Sequence, residues 1–425
     1  MASTYFVNAS GSNTAPFDTP AKGASNFQSL ATGVVLADGV SIEVVNDGEI
    51  QDNIPASTTL TLKGTIRSYG TDGTDRLTSK PTWRLRYTDA ASHVVLSASA
   101  KINALKMYCD SMTVSKQMIA WSDNAEVTQC DIWTSVAITA VFQGLVDNNI
   151  TGIKIKNNTI RTIGSGSIGT VMSHTLMGAL AGEFVCNSVY GNITRFYSSF
   201  SALDSVIANN IVRAIAGANF FTSSSFGFTY LDYNCAFGFT SPYPNKPAGP
   251  NSLLVDPKFV DPSNGDLTLD PITSPCINAG VGNGTQSAVP TTDIIGRDRP
   301  FIYPDHAVVN DGTDIGAYEI QGITLNILNS TFDNSESTIT ADFVVGTNTD
   351  NQFNWPTPTN YPFTLAAGAS FGYGQNLDWL SANPGKIAPF DGVTTPPNPG
   401  LNYPTYPNYP TGLFGYDRAT YERDN

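Results

Sequence analysis

The sequence predicts an all-β protein built mainly as a parallel β-helix. Three observations carry that expectation: a composition poor in charge and rich in turn formers, a polar pair that recurs at solenoid spacing, and strand-like alternation between its copies. Only 14% of the 425 residues are charged, against roughly a quarter in an ordinary soluble chain, which disfavours helical bundles and coiled coils. Gly (37) and Pro (26) suit many short strands joined by polar turns. At 41% apolar, the chain can still build a sizeable core.

The recurring pattern is a small polar pair, one variable residue, then an apolar one. It reads Cys109-Asp110-Ser111-Met112, Cys130-Asp131-Ile132-Trp133, Asn157-Asn158-Thr159-Ile160, Cys186-Asn187-Ser188-Val189 and Asn209-Asn210-Ile211-Val212, with a weaker copy at Tyr233-Asn234-Cys235-Ala236. Asn and Asp accept left-handed backbone and bond their own main chain, so they mark corners. The apolar residue that follows is expected in a core, which places Met112, Trp133, Ile160, Val189 and Val212 in one buried stack. The first residues, at 109, 130, 157, 186, 209 and 233, lie 21 to 29 apart. One solenoid coil fits that spacing, with loops inserted where it lengthens and Asn148-Asn149-Ile150 as a second corner of one coil. Ile153-Lys154-Ile155-Lys156 alternates as a strand does. A β-sandwich with Asn-rich turns is the competing fold, but it has no reason to hold the polar pair at a fixed place before the apolar residue.

Net charge is −14, with 22 basic against 36 acidic side chains. Phosphate backbones and anionic membranes need a basic surface, so neither nucleic acid nor membrane is an expected partner. No run of about 18 apolar residues spans a bilayer. The N-terminus, Met1-Ala2-Ser3-Thr4-Tyr5, lacks a basic and then apolar leader, so Sec-type export is not expected. Five cysteines without a C-x-x-C pair argue against a disulfide framework or a zinc site. Cys109, Cys130 and Cys186 share one repeat position and are expected to line one buried ladder.

Two stretches resemble known proteins. Tyr5-Phe6-Val7-Asn8-Ala9-Ser10-Gly11-Ser12, Phe17-Asp18-Thr19-Pro20 and Phe27-Gln28-Ser29-Leu30 resemble the start of right-handed parallel β-helix proteins of the pectate-lyase-like superfamily. That resemblance implies a right-handed helix and a short capping helix near residues 25–32. Downstream, Asp256-Pro257-Lys258-Phe259-Val260-Asp261-Pro262, Gly265-Asp266-Leu267-Thr268-Leu269, Ser274-Pro275-Cys276-Ile277-Asn278-Ala279-Gly280, Asp293-Ile294-Ile295-Gly296-Arg297-Asp298-Arg299-Pro300 and Asp314-Ile315-Gly316-Ala317-Tyr318-Glu319 follow in order. This series is similar to the choice-of-anchor-type closing segment of bacterial and phage β-helix proteins, where it precedes an attachment element. The expected organisation is a cap over residues 1–35, coils over 36–255, a closing segment over 256–322 and a C-terminal region over 323–425. In that last region 323–350 alternates like strands and forms a small β module, and 11 prolines follow residue 350. Prolines at that density cannot join a central ladder.

Catalytic signatures are thin. Gly152-Ile153-Lys154-Ile155-Lys156 is distantly similar to one polygalacturonase motif, without the other three, and reads as a strand with solvated lysines. Asp110 and Asp131 occupy matching corners and are either stacked calcium ligands or turn formers, the second favoured by Asn158, Asn187 and Asn210 at the same place. Asp89, Asp123, Glu126 and Glu183 complete the candidate acids, which need a separation of about 5 to 9 Å for glycoside hydrolysis. Gly164-Ser165-Gly166-Ser167-Ile168-Gly169 reads as a loop on one coil, not a phosphate cradle. Trp83 and Trp121 are the tryptophans free to lie at the surface.

The expectation is therefore a phage virion structural protein: a fibre, spike or decoration protein on the particle exterior. It presents a rigid β-helix, uses no cofactor or metal, and binds host surface glycan. Other virion proteins in the capsid or tail and further copies of the chain, as a trimer, are the expected partners. No room is left for an N-terminal head domain before Tyr5, so attachment is expected through Tyr403, Tyr406, Tyr409, Phe414 and Tyr416, with a C-terminal cap on the β-helix as the competing role of that tail. A tailspike depolymerase, lyase or glycoside hydrolase, and a bacterial surface β-helix are the alternatives.

Overall fold

A computed structural model describes residues 3–321, apart from 70–76, 78, 89–92, 113–116, 145–149, 204, 224–225, 228–229, 245 and 304–305, together with the strands Leu325–Ile327, Ser337–Ile339, Phe343–Val345 and Phe363–Leu365. The first of two units, residues 1–321, is an all-β parallel solenoid with one α-helix among the described residues.

Its strands fall on three faces. The first begins with Thr4–Val7, Ser41–Val45, Thr65–Tyr69, Lys101–Asn103, Glu126–Thr128 and Ile150–Lys156, all paired in parallel. The second is an eight-stranded sheet of Glu49–Ile54, Thr82–Tyr87, Lys106–Met112, Asp131–Thr134, Thr159–Thr162, Ser188–Gly191, Ile211–Gly217 and Cys235–Phe239. The third begins with Thr59–Leu62, His93–Leu96, Gln117–Trp121 and Ala137–Gly144. The 19-residue strand Ser167–Val185 bends through two faces, pairing with Ala137–Gly144 at its start and Ile150–Lys156 at its end.

Because side chains alternate across a strand and each rung repeats the register, the interior fills in columns. Ile42, Ile66, Ile102, Val127, Ile155, Phe184 and Ile207 form one, each paired with the next and buried. Ile119, Phe142, Met172, Tyr197 and Phe221 form another. Each buried aliphatic or aromatic side chain contributes about 1.5–3 kcal/mol, so the columns, repeated along the axis, hold the solenoid.

The corners explain the repeat. Ala104, Gln129, Asn157, Cys186, Asn209 and Tyr233 all take left-handed backbone, with φ between 52° and 56°. Left-handed backbone costs an L-residue about 1–2 kcal/mol, and a side-chain ladder beside it offsets that cost. Asn158, Asn187, Asn210 and Asn234 are fully buried in a row. Each of the first three donates an amide N–H to the next Asn Oδ1, at 3.0, 2.9 and 2.9 Å. Each of the four also donates to a strand carbonyl: Val127, Ile155, Phe184 and Ile207 in turn.

Two copies of the repeat are out of register. Asp131 pairs with Thr159 and Ile132 with Ile160, so the second corner is Gln129-Cys130-Asp131-Ile132, one residue earlier than expected. The corner before it is Ala104-Leu105, and Cys109 lies inside a strand beside Thr134. Ile160, Val189 and Val212 are buried in one stack with Ile132 and Met107, whereas Trp133 and Met112 are half-buried and lie outside it. Cys109, Cys130 and Cys186 occupy three different positions and line no common ladder, although all are buried. Trp83 and Trp121 are buried in the core, not at the surface. Of Asn148-Asn149-Ile150, only Ile150 falls among the described residues.

Helix Phe27–Gly33 starts at Asn26, whose Oδ1 accepts from Ser29 N–H at 2.7 Å. Its Phe27 ring lies 4.5 Å from Trp83. Buried Asp52 ties the two elements together, accepting from Phe27 N–H, Gln28 N–H and Trp83 Nε1–H at 3.1, 2.8 and 2.8 Å.

After Leu253, which bridges Cys235, the chain forms the antiparallel hairpin Phe259–Asp261 and Asp266–Leu269 and then irregular backbone to Gln321. This segment runs back along the row of corners. Asn209 bonds Val281, Lys156 bonds Ala288 O, Asn157 bonds Thr292 O and Gln129 bonds Asp293 O. In the second unit, residues 322–425, Leu325–Ile327 pairs antiparallel with Phe343–Val345, and Ser337–Ile339 with Phe363–Leu365.

Candidate functional site

The outward side of the second face carries one continuous column. Register places Gln51, Arg84, Tyr108, Trp133, Arg161, Tyr190, Arg213 and Phe237 side by side, one per rung. Rungs are about 4.8 Å apart, so the column is about 34 Å long. It is a ladder of flat groups. The Arg84 guanidinium stands 5.5 Å from the Tyr108 ring centre, Tyr108 and Trp133 stack at 5.3 Å, and the Arg161 guanidinium stands 5.5 Å from Trp133 on its other side. Arg213 lies 5.8 Å from Tyr190.

Stacking on each other uses the ring faces, so the column offers solvent its edges. Ring edges carry the positive side of the aromatic quadrupole, and with guanidinium and indole N–H groups they make an electron-poor strip. Half-buried Trp133 gives its indole N–H no acceptor among the described residues, and Arg161 forms no ion pair with them. Partial burial draws the Arg161 guanidinium below its ordinary pKa.

The closing segment covers the far end of the column. Tyr190 packs against the cluster of Phe259, Leu267 and Leu269, and Arg213 pairs with Asp256 at 3.2 Å. Gly265, in the hairpin turn, sits against Arg161: a methyl there would lie 2.6 Å from its Cζ. Its φ of 101° also favours glycine. Among the described residues, the lane left uncovered by the closing segment is therefore Gln51, Arg84, Tyr108 and Trp133, ending at Arg161.

Carboxylates beside the lane are engaged. Asp110 is the extra residue of a β-bulge, held by Arg84 and by Arg86 Nε at 2.9 Å. These guanidinium groups keep its carboxyl below the ordinary range. Arg84 also meets Glu49 at 3.1 Å. Asp131 meets Lys80 Nζ at 3.0 Å and accepts from Thr159 Oγ1 at 2.6 Å.

Asp131 stands beside Lys106, four residues from Asp110 along the neighbouring strand. That is about 13 Å, so the two aspartates are neither stacked nor a shared calcium site. Among the described residues no group of three His, Cys, Asp or Glu is placed to hold a metal ion. Glu126 pairs with Lys101 and Glu183 with Lys156 on the first face, and Asp123 accepts from Thr151 N–H. Asp89, Tyr403, Tyr406, Tyr409, Phe414 and Tyr416 lie outside the described residues.

The closing motifs form a buried charge network. Arg299 meets Glu319 at 3.2 Å and donates to Asp314 O and Gly316 O. Arg297 meets Asp293 at 2.8 Å. Glu319 accepts from Phe301 and Asp314 N–H, Asp314 from Asn278 and Ile320 N–H, and Asp293 from Glu319 N–H. With Asp293, Arg299, Asp314 and Glu319 all buried, these residues fold the segment onto itself and expose no reactive group.

Sequence reasoning missed the lane. Its signal is an aromatic or Arg one residue after each inward residue, in Trp83-Arg84, Met107-Tyr108, Ile132-Trp133 and Ile160-Arg161. No family model matches the sequence, and comparison with curated proteins finds no match.

Proposed function

We propose that this chain is a phage virion structural protein, a fibre, spike or decoration on the particle exterior, whose rigid solenoid displays the second face to host surface glycans. The lane carries this reading: an electron-poor strip with unused donors on a chain of net charge −14. Glycans meet such a strip with hydroxyl, ring and carboxylate oxygens. Exhaustion of the ring faces by mutual stacking disfavours nucleic acid, which needs them for its bases.

In this reading the solenoid is right-handed, as parallel crossovers nearly always are. Helix Phe27–Gly33 caps its first coils. The C-terminal region joins the protein to capsid or tail, with Tyr403, Tyr406, Tyr409, Phe414 and Tyr416 as anchors, and the chain assembles as a trimer. The opening and closing motifs similar to those of phage and bacterial β-helix proteins support the assignment.

The test is the particle itself. Virions purified from lysed host cells should contain the chain, and antibodies against residues 3–321 should label their outer surface. Virions without the chain would overturn the proposal.

A further inference from the structure

The lane has two unlike ends. At the Arg84 end it runs on to Gln51 and the first rung of the second face. At the other end Gly265 rests on Arg161, and beyond it Tyr190 is packed beneath the hairpin. A linear ligand lying along the column, across successive rungs, therefore meets a wall at Arg161. There the guanidinium is half-buried, without a carboxylate partner among the described residues, and backed on one side by the Trp133 ring. Asp131, two residues before Trp133 on the neighbouring strand, is taken by Lys80 and Thr159. An isolated, partly desolvated guanidinium at a dead end calls for a planar anion with two oxygens, which Arg binds in bidentate fashion.

We propose that the lane holds the acidic end of a linear glycan, Arg161 taking the terminal carboxylate and Trp133, Tyr108 and Arg84 taking oxygens of the sugars behind it. This rests on the reading of the second face as a glycan surface and adds direction and charge to it. The wall makes the site selective for a chain end: a chain with its acid in the middle must continue through Gly265. Lys106, two residues before Tyr108 on the same strand, flanks the lane and adds to its positive character.

The experiment is titration calorimetry with the full-length protein and four probes: a tetrasaccharide ending in a uronic acid, its methyl ester, an isomer with the same acid at an internal sugar, and a short oligothymidylate. The terminal acid should bind most tightly. The ester and the internal isomer should each lose about tenfold to a hundredfold in affinity, the worth of a charged hydrogen bond. Arg161→Gln should erase these differences while keeping the wild-type melting temperature. Equal binding of the terminal and internal acids, or an unchanged preference in Arg161→Gln, overturns end recognition and leaves the glycan surface standing. Failure of every sugar probe overturns both. Tight oligothymidylate binding replaces them with a nucleic-acid site.

Discussion

Asn187 donates its amide N–H to Asn210 Oδ1 across 2.9 Å, and both side chains are completely buried. Asn187 Oδ1 also accepts from Asn158 N–H and Nδ2, so one side chain binds three successive coils. Asn187→Ala orphans these two donors and is expected to cost about 2–6 kcal/mol, at about 1–3 kcal/mol per unsatisfied buried group. The urea midpoint reads the loss, and an unchanged midpoint would show that the ladder contributes nothing.

Asp52 makes a second separable prediction. Asp52→Ala leaves Phe27 N–H, Gln28 N–H and Trp83 Nε1–H without their acceptor. The helix should loosen before the coils do. Hydrogen exchange at Phe27 and Gln28 is expected to quicken while exchange at Ile155 holds, and equal protection in both proteins would contradict the link.

The closing network sets a pH dependence. Burial, only partly offset by Arg299, lifts Glu319 and Asp314 above the ordinary carboxylate range. The folded protein thus keeps protons that the unfolded chain has released. The resulting stability is present below the unfolded values, 4.5 and 3.8, and is lost as pH rises through the raised folded ones. Asp314→Asn should flatten that fall in urea midpoints measured from acid to neutral pH; an identical slope would remove Asp314 from the account.

The carboxylates beside the lane, Glu49, Asp110 and Asp131, are held in ion pairs, and Asp293, Asp314 and Glu319 of the closing motifs are buried. Purified protein incubated with host capsule or lipopolysaccharide should release no new reducing ends. Turnover abolished by an Asp or Glu substitution would restore the depolymerase reading.

The corners were legible where Asn builds them. Asn157-Asn158, Asn209-Asn210 and the Asn of Cys186-Asn187 mark both the left-handed residue and the ladder beside it. Ala104-Leu105 and Gln129-Cys130 make the same turn with residues that carry no turn signal, so polar pairs nearby, Cys109-Asp110 and Cys130-Asp131, stood in for them. A slip of one residue exchanges the two sides of a strand. That slip puts Trp133 in the core and hides the lane it belongs to. Trp83 could not be placed without knowing that Thr82–Tyr87 pairs with Glu49–Ile54, a register set by a long-range contact.

The central claim, that the lane is the recognition surface, is tested most directly by surface plasmon resonance of the full-length protein over immobilised host polysaccharide. Wild-type protein should bind saturably, and Trp133→Ala and Arg84→Ala should each weaken binding about tenfold or more while circular dichroism shows the β fold retained. Undiminished binding by both variants would contradict it.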